Sequence, residues 1–321
     1  MNEESKVYIA GHSGMVGSAI KRRLEKEGYK NIIVKASSEL NLEDQRVTEE
    51  FFREERPEYV FDAAAKSGGI HANNTYRAEF IYKNLQIQNN LIHSAWKFGV
   101  KKLLFLASNC IYPRDCSQPI KESYLLSGNL EPTNQPFAIA KIAGVEMCQS
   151  YNKQYGTNFI SAIAANSYGI NDKYDPLNSH LVPSLILKFH KAKISDKEEV
   201  VIWGTGSPRR EALYVEDLAE ACIFLMKNYN SPEIINIGTG VDRTIREIAE
   251  IIRNSIGFKG GIEFDTTKPD GMSRKLLDVS KIHSLGWKAG TDLEEGIKRT
   301  YEWFENQEVQ KPRGENEKKA A

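Results

Sequence analysis

The feature that most constrains the fold is the stretch GHSGMVG, residues 11–17. It follows the apolar run VYIA, residues 7–10, and begins a helical segment. Its glycines, Gly11, Gly14 and Gly17, allow a tight turn and a close approach of the backbone to a ligand, and a helix N-terminus offers unpaired N–H groups to a phosphate. Such spacing is weak evidence alone, but its position between a strand and a helix predicts a dinucleotide-binding loop.

Short apolar runs alternate with amphipathic helical segments through the first half of the chain. The runs predicted to be strands are VYIA (7–10), NIIVKA (31–36), YVFDAAA (59–65), KLLFLAS (102–108) and FISAIAAN (159–166). The helical segments are residues 15–28, 43–55, 81–99 and about 136–155. This order predicts an α/β fold with a Rossmann-type doubly wound parallel sheet.

The pattern changes after Asn166, where a loop-rich stretch begins, and EALYVEDLAEACIFLMKN then has the character of a strand, a turn and a helix. We therefore expect the chain to return to its first domain before completing a second. The predicted domains are a dinucleotide-binding domain, residues 1–168 plus about 211–237, and a smaller, discontinuous α/β substrate-binding domain, residues about 169–210 plus 238–305.

Composition excludes several classes of function. The 321 residues include 43 basic and 43 acidic side chains, so a nucleic-acid partner is not expected. The sequence has no long apolar segment, so a membrane partner is not expected, and we expect a cytoplasmic protein. The four cysteines lack metal-ligand spacing, so no metal site is predicted. Residues 306–321 are charged, lack a periodic apolar face and are expected to be disordered.

The end of the second predicted strand bears on the choice of dinucleotide. An acidic side chain there would bind a ribose 2′-OH, whereas a basic one would accept a 2′-phosphate. The sequence has Lys35 followed by Ala-Ser-Ser, with no acid in the first positions. This favours NADP(H) as the cofactor, although a solvated lysine at a strand end is the alternative.

A catalytic arrangement is suggested by Ser108, at the end of KLLFLAS, and Lys141, in FAIAKIAG. A serine at the carboxyl end of a central strand faces the ligand crevice of such sheets and could polarise a carbonyl. A lysine ammonium would lower the pKa of a neighbouring phenol. The residue four before Lys141, on the same helix face, is Phe137, which has no proton to give.

Seven ordered blocks between about residues 5 and 305 resemble the GDP-L-fucose synthases: GHSGMVGSAI, AAAKSGGI, SNCIYP, FAIAKIAG, NSHLVP, GTGSPRREALYVEDLA and KPDGMSRKLLD. Members of that family are extended short-chain dehydrogenase/reductases. They epimerise a GDP-4-keto-6-deoxy sugar at C3 and C5 and reduce C4 with NADPH. The resemblance implies a GDP-linked 4-keto sugar as substrate and a homodimer.

The resemblance also assigns expected roles to residues. The reductive serine, tyrosine and lysine fall on Ser108, Phe137 and Lys141, and the epimerase pair falls on Cys110 and His180. The expected cofactor-binding residues are Gly11, Gly14, Met15, Val16, Gly17, Lys35, Ala64, Ala65 and Lys141. The expected substrate-binding residues are Asn166, His180, Lys188, Trp203, Arg210, Lys268 and Asp270, with Arg274 as a further candidate.

Two departures from the family pattern leave alternatives open. In the cofactor site, Ser13 stands where an arginine typically helps to hold the 2′-phosphate, and KASS after the second strand is less basic than the family norm; in the catalytic site, Phe137 replaces the tyrosine. The chain could be an epimerase–reductase variant with impaired reduction, an isomerase-only paralogue, or a reductase with another proton donor, such as a water held by Ser108 and Lys141. It could also reduce a related sugar such as a heptose, or bind nucleotide sugars without catalysis.

Overall fold

The computed structural model describes residues 1–176, 178–268 and 270–310. Its largest sheet contains six parallel strands, numbered along the chain with the other elements: β1 (Val7–Ala10), β2 (Ile32–Ile33), β3 (Tyr59–Asp62), β4 (Lys102–Ser108), β5 (Phe159–Ala164) and β10 (Ile235–Ile237). Their order is β2-β1-β3-β4-β5-β10. The doubly wound parallel sheet predicted from the sequence is therefore confirmed.

Six helices accompany this sheet: α1 (Met15–Lys26), α2 (Gln45–Glu55), α3 (Ile70–Thr75), α4 (Arg77–Lys97), α5 (Gln135–Tyr155) and α7 (Val215–Asn228). Helix α1 packs against α7, while α4 packs against both α2 and α5. The apolar strand residues, fully buried between the helices, form the larger of two hydrophobic clusters.

The remaining elements build a smaller lobe around a second buried cluster. Its strands are β6 (Ser167–Tyr168), β7 (Glu199–Trp203), β8 (Arg209–Glu211), β9 (Leu213–Tyr214), β11 (Asp242–Thr244), β12 (Gly261–Asp265) and β13 (Arg274–Lys275). Its helices are α6 (Leu181–Ile194), α8 (Ile245–Ile256) and α10 (Leu293–Gln310), whereas α9 (Ser280–Ser284) packs on β10 and belongs to the larger cluster. Strands β11, β8 and β13 form one sheet, and β12 pairs with β7 in another. The domain boundaries given above stay a prediction.

Several element boundaries differ from the sequence-based expectation. Strand β2 has two residues instead of six, because the chain turns at Ala36, whose N–H donates to the Glu39 carboxylate (2.7 Å). Strand β3 ends at Asp62, whose own side chain accepts a hydrogen bond from the Ala64 N–H (3.2 Å). In both places a nearby carboxylate takes an N–H group that a longer strand would need.

The expectation of disorder from residue 306 is wrong for residues 306–310, because α10 continues to Gln310. Phe304, near its end, is buried in the second cluster, and the Tyr301 hydroxyl hydrogen-bonds to Glu305. Burial of an apolar face stabilises a helix more than intrinsic propensity does. Residues 311–321 lie outside the described residues.

The two lobes are joined at the Glu211 carboxylate, which is 1% exposed. Its Oε1 accepts hydrogen bonds from the N–H groups of Thr239 (2.6 Å) and Gly240 (2.8 Å), and its Oε2 accepts one from the Leu277 N–H (3.0 Å). Burial raises the pKa of Glu211, and these hydrogen bonds to the charged form oppose the rise. One side chain therefore connects β8, the turn after β10 and the segment that follows β13.

We predict that Gly144→Ala destabilises the protein, because a Cβ at this position would lie 2.3 Å from the buried ring of Phe105 on β4. Overpacking of this kind costs about 1–3 kcal/mol. The measurement is the free energy of unfolding in urea. The matched control is Gly290→Ala, where no atom lies within 4 Å of the added Cβ. Equal stability of the two variants would contradict the prediction.

Candidate functional site

The candidate residues from the first part of the chain lie at the carboxyl ends of parallel strands. The glycine loop follows β1, Ala64 and Ala65 follow β3, and Ser108 is the last residue of β4. Strand order reverses between β1 and β3, and ligands of such sheets bind in the crevice at this point. The fold therefore brings the predicted cofactor and catalytic residues to one edge.

Lys141 reaches this edge from the second turn of α5 and is 3% exposed. Its ammonium donates a hydrogen bond to the Leu106 carbonyl oxygen (2.9 Å) and lies 4.5 Å from the centre of the Phe105 ring. Burial lowers the pKa of Lys141, and the nearby Asp62 carboxylate acts in the opposite direction. The lysine is thus held rigidly beneath the crevice.

Phe137 lies one turn before Lys141, in the first turn of α5, and is half-buried. Its ring packs edge-on against Phe80, with 6.3 Å between ring centroids, and extends the first hydrophobic cluster. The Phe137 ring is therefore held by packing, and it carries no hydroxyl where the resemblance implies one.

Cys110 lies in a short 3-10 helix, Asn109–Ile111, directly after β4, and its thiol is free. Burial raises the pKa of the Cys110 thiol. The ammonium groups of Lys275 and Lys141 and the Ser108 hydroxyl act against that rise, and Lys275 has the largest effect of the three. The sequence shows Ser108 two residues before this cysteine, but it gave no sign that Lys141 or Lys275 approaches it.

Asp62 is a further residue that sequence reasoning missed. It is 1% exposed at the end of β3, opposite Phe105 in the sheet, and its Oδ2 atom has no hydrogen-bond partner among the described residues. Burial raises the pKa of Asp62 from 3.8 to about 6, with Lys141 opposing the rise. The sequence feature that could have revealed Asp62 is that it is the single acid within YVFDAAA, an otherwise apolar run.

The glycine loop fits a dinucleotide pyrophosphate. A Cβ on Gly17 would lie 2.2 Å from the Gly11 carbonyl oxygen, and a Cβ on Gly11, which has φ +78, would lie 2.8 Å from the Ala63 carbonyl oxygen. Gly14 caps α1 without a side-chain hydrogen bond, and the first turn, which begins with Met15 and Val16, carries no acid. The compact loop and the positive end of the helix leave N–H groups for a negative ligand.

The ribose-binding side of the crevice differs from the sequence-based interpretation. Lys35 does not end a strand, because β2 stops at Ile33 and Lys35 lies in the following loop. Glu39 folds back to Ala36, so an acid lies beside the position that the sequence indicated to be free of acids. The residues at the strand end do not reveal, in the sequence, the turn that returns Glu39 to Ala36.

His180 approaches from the smaller lobe as the N-cap of α6. Its side chain keeps contact with solvent, yet the surrounding protein atoms, and secondarily Lys173, lower its pKa. The loop before His180 contacts Gly69. The Gly69 N–H donates to the Asn178 carbonyl oxygen (2.7 Å), and the absence of a Cβ at Gly69 leaves room for Ser179. No hydrogen bond joins His180 to Cys110 among the described residues.

The predicted nucleotide-binding residues lie on the smaller lobe. Trp203, at the end of β7, is 67% exposed, and the Lys268 ammonium lies 5.8 Å from its ring centre. Arg210, in the middle of β8, is partly buried, and burial lowers its pKa while Asp270 opposes this. Exposed indole and half-enclosed guanidinium groups suit a base and a diphosphate, respectively.

Other predicted binding residues have partners within the protein. Both Asp270 oxygens accept hydrogen bonds from Thr205, at 3.0 and 2.7 Å. The Lys188 ammonium donates to the Val201 carbonyl oxygen (3.3 Å), and Arg274 pairs with Asp242. Asn166 is exposed just after β5, and its carbonyl oxygen accepts from the Leu213 N–H (2.9 Å). The side chains of Lys188, Asp270 and Arg274 are therefore already bonded within the protein, whereas Asn166 is bonded through its backbone.

In the described part of the chain, no group of three or more histidine, cysteine, aspartate or glutamate side chains could hold a metal ion. No helix in the same residues is long and apolar enough to cross a membrane.

Comparisons with known proteins identify similar chains. Residues 7–238 match the NAD dependent epimerase/dehydratase family. The chain is 54% identical over 311 residues to putative GDP-L-fucose synthase 2 of Arabidopsis thaliana, covering 97% of this chain and 95% of the relative. It is 50% identical over 315 residues to GDP-L-fucose synthase of Escherichia coli (strain K12), covering 95% and 98%.

A solved structure is similar over almost the whole chain. It is MlghC, a GDP-mannoheptose C4 reductase from Campylobacter jejuni with NADP bound. The TM-score is 0.88, the sequence identity is 44%, and the match covers 95% of this chain and 99% of that one.

We predict that Asp62→Asn stabilises the protein above pH 6. The folded state holds the Asp62 proton up to about pH 6, whereas the unfolded chain releases it near 3.8, so this carboxyl lowers the free energy of unfolding as pH rises between those values. The gain at pH 8 is at most about 3 kcal/mol and vanishes below pH 4. Urea unfolding at pH 4 and pH 8 measures it.

The control for this prediction is Asp115→Asn, which changes an exposed carboxylate. It should alter stability by less than about 0.5 kcal/mol. A loss of stability in Asp62→Asn at pH 8 would show that the Asp62 charge is stabilising and would contradict the prediction.

Proposed function

The chain belongs to the NAD dependent epimerase/dehydratase family and, within it, to the GDP-L-fucose synthases, and from this membership we propose that it converts a GDP-linked 4-keto sugar by epimerisation next to the ketone and NADPH-dependent reduction. The observation that carries the proposal is the convergence of Ser108, Cys110 and Lys141 beside the glycine loop, at the edge where strand order reverses. The impaired reduction proposed below rests on Phe137.

Binding of NADP(H) is supported by the compact glycine loop and the uncapped first turn of α1. We propose that these backbone N–H groups hold the pyrophosphate, that Ala64 and Ala65 line the crevice, and that Lys35 serves the 2′-phosphate. Lys141 would hydrogen-bond the nicotinamide ribose. When bound, the cofactor supplies the hydride for C4.

Epimerisation requires removal of a proton from carbon on one face of the sugar and its return on the other. The protons at C3 and C5 flank the C4 ketone, so the electron pair released at carbon moves to the ketone oxygen as an enolate. We propose that Ser108 donates a hydrogen bond to that oxygen, and that Cys110 and His180 exchange protons with carbon. A histidine with a pKa below its usual value can both accept and return a proton near neutrality.

Reduction places a negative charge on the C4 oxygen, which must receive a proton. Phe137 has none, so the position that the resemblance gives to the catalytic tyrosine supplies no general acid. A positioned general acid contributes roughly 10²–10⁴ in rate, which corresponds to about 3–5 kcal/mol of barrier. We therefore propose that epimerisation is retained while reduction is slow.

The GDP part of the substrate is assigned to the smaller lobe. Trp203 offers an exposed aromatic face for the guanine, and Arg210 offers a planar fork for the diphosphate. The similar structure named a GDP-mannoheptose C4 reductase supports a second candidate, in which the sugar is a heptose and only C4 is changed. Product NMR with 6-deoxyhexose and heptose 4-keto substrates separates the two.

The four cysteines are free thiols, which favours a cytoplasmic location. A homodimer is our further proposal, with α4 and α5 as the interface. These long helices pack side by side and leave large apolar side chains exposed, among them Tyr82 (59%) and Ile139 (41%).

Phe137→Tyr should increase the rate of NADPH oxidation with a GDP-4-keto sugar by about 10²–10⁴, because it restores a general acid four residues before Lys141. Absorbance at the nicotinamide band measures this. Phe98→Tyr, which adds the same atom at the end of α4, is the matched control and should change nothing. Equal turnover before and after Phe137→Tyr would indicate another donor, such as a water held by Ser108.

The epimerase assignment predicts uptake of deuterium from solvent at C3 and C5 by the chain as it stands, without NADPH oxidation. Cys110→Ala or His180→Gln should reduce the uptake by at least 10²-fold, since each removes one proton carrier. NMR of the recovered sugar nucleotide gives both positions. No uptake by the unaltered chain would favour a silent binding protein.

Sedimentation equilibrium should give twice the chain mass of 36.3 kDa. Tyr82→Arg should shift the protein toward monomer by placing a charge in the proposed interface. A single-chain mass for the unaltered protein at micromolar concentration would exclude the dimer.

A further inference from the structure

The loop between β6 and α6, which ends at His180, is fixed to the larger lobe at two points. At its far end the Gly69 N–H donates to the Asn178 carbonyl oxygen (2.7 Å). At its near end the Asn171 side-chain amide donates to the Ser18 hydroxyl oxygen (2.9 Å). Ser18 belongs to α1, the helix that follows the glycine loop. The loop that carries the proposed proton carrier is therefore bonded directly to the cofactor-binding helix.

The Ser18 hydroxyl lies at the centre of this contact. Ser18 is the fourth residue of α1 and is 8% exposed. Its hydroxyl donates to the Met15 carbonyl oxygen (3.0 Å) and accepts hydrogen bonds from Asn171 (2.9 Å) and from the Arg22 guanidinium (3.1 Å). A hydroxyl has one donor and two lone pairs, so the capacity of this one is fully used. A single hydroxyl thus joins the first turn of α1 to the loop.

The Arg22 guanidinium is held in turn by α7. Its Nε and Nη2 atoms donate to the Glu216 carboxylate at 3.0 and 2.5 Å, and Glu216 lies in the first turn of α7. Charge-assisted hydrogen bonds of this kind are stronger than neutral ones. They keep the guanidinium oriented toward Ser18, so the remaining lone pair of the Ser18 hydroxyl faces Asn171.

The backbone at Asn171 also suits an asparagine. The Asp172 N–H donates to the Gly169 carbonyl oxygen (3.2 Å), which closes a β-turn over residues 169–172. Asn171 is the third residue of this turn and has φ +65, a left-handed conformation that asparagine tolerates better than most residues do. The turn therefore places the Asn171 amide on α1, and the loop continues from there to His180.

This geometry connects the two binding events of the proposed reaction. The first-turn N–H groups of α1 are proposed to hold the pyrophosphate of NADP(H), and Met15 of that turn accepts the Ser18 hydrogen bond. A ligand that orders one partner of a hydrogen bond lowers the entropy cost of ordering the other. Order at the glycine loop is thus transmitted to the loop before His180. The inference rests on the proposed function of these two segments.

We propose that Asn171 is a positioning residue that couples NADP(H) binding at α1 to the placement of His180. With the dinucleotide bound, the Asn171 amide holds the loop on Ser18, and epimerisation is fastest in that complex. Coupling between two binding sites is reciprocal, so a sugar nucleotide that fixes the loop strengthens NADP(H) binding by the same factor. Asn171 acts through the loop and exchanges no proton with the sugar.

The test is amide hydrogen exchange of the full chain, followed by mass spectrometry, with and without NADP⁺ and in the absence of sugar. We expect NADP⁺ to slow exchange about fivefold in the peptide that runs from Asn171 to His180, an effect that one net hydrogen bond can supply. Asn171→Gly removes the amide and permits the same left-handed backbone. It should abolish the slowing in this peptide and keep the slowing in the glycine-loop peptide.

Ser18→Ala is the second variant, because it removes the acceptor of the same hydrogen bond. It should also abolish the slowing, and the double variant should lose no more than either single variant. The matched control is Asp196→Gly, which places glycine at another exposed position with positive φ (49), two residues after α6. It should leave the slowing unchanged.

Equal slowing of the loop peptide in the unaltered chain and in Asn171→Gly would overturn the inference, as would slowing confined to the glycine loop in the unaltered chain. Deuterium uptake by the sugar gives a second readout. With saturating NADP⁺, Asn171→Gly should lower the rate of uptake about fivefold at an unchanged KM, and an unchanged rate would contradict the coupling. If the unaltered chain shows no uptake while the loop peptide responds as expected, the proposed function fails and the coupling stands.

Discussion

The buried Glu211 carboxylate is the constraint on which the geometry of the site depends. By accepting N–H groups from Thr239, Gly240 and Leu277, it fixes β8 against two segments that are distant in sequence. Arg210, the residue proposed to bind the diphosphate, directly precedes Glu211 in β8. Lys275 lies two residues before Leu277, which Glu211 holds. Without this carboxylate the backbone donors would be buried and unsatisfied, at about 1–3 kcal/mol each. The smaller lobe would then lose one of the buried contacts that hold it against the larger lobe.

Desolvation governs the chemistry at the strand ends. Burial disfavours the charged forms of Asp62, Cys110 and Lys141 alike, and each group is partly compensated by an opposite charge nearby. Such clusters of perturbed groups are typical of catalytic sites, where stability is given up for reactivity. The packing that shifts these pKa values also holds Lys141 and Phe137 in place. The absence of a tyrosine hydroxyl at Phe137 therefore leaves the surrounding structure intact.

The sequence predicted most of the sheet and the strand-end position of the site, because apolar runs and the glycine loop are local signals. It missed interactions that depend on chain reversal or long-range pairing. Glu39 returns to Ala36 over a loop, and Lys275 approaches Cys110 only after β13 pairs with β8. Neither residue is distinctive in its own segment. Asp62 was detectable as a polar interruption, but its burial required the packed sheet.

We propose that proton exchange at carbon is retained while reduction at C4 is slow, because no tyrosine protonates the C4 oxygen. The most direct test is one NMR time course in deuterated buffer, with the chain as it stands, NADPH and a GDP-4-keto-6-deoxy sugar in a single tube. Deuterium should enter C3 and C5 at least a hundred times faster than the C4 alcohol forms. Formation of the C4 alcohol without prior exchange at either carbon would contradict it.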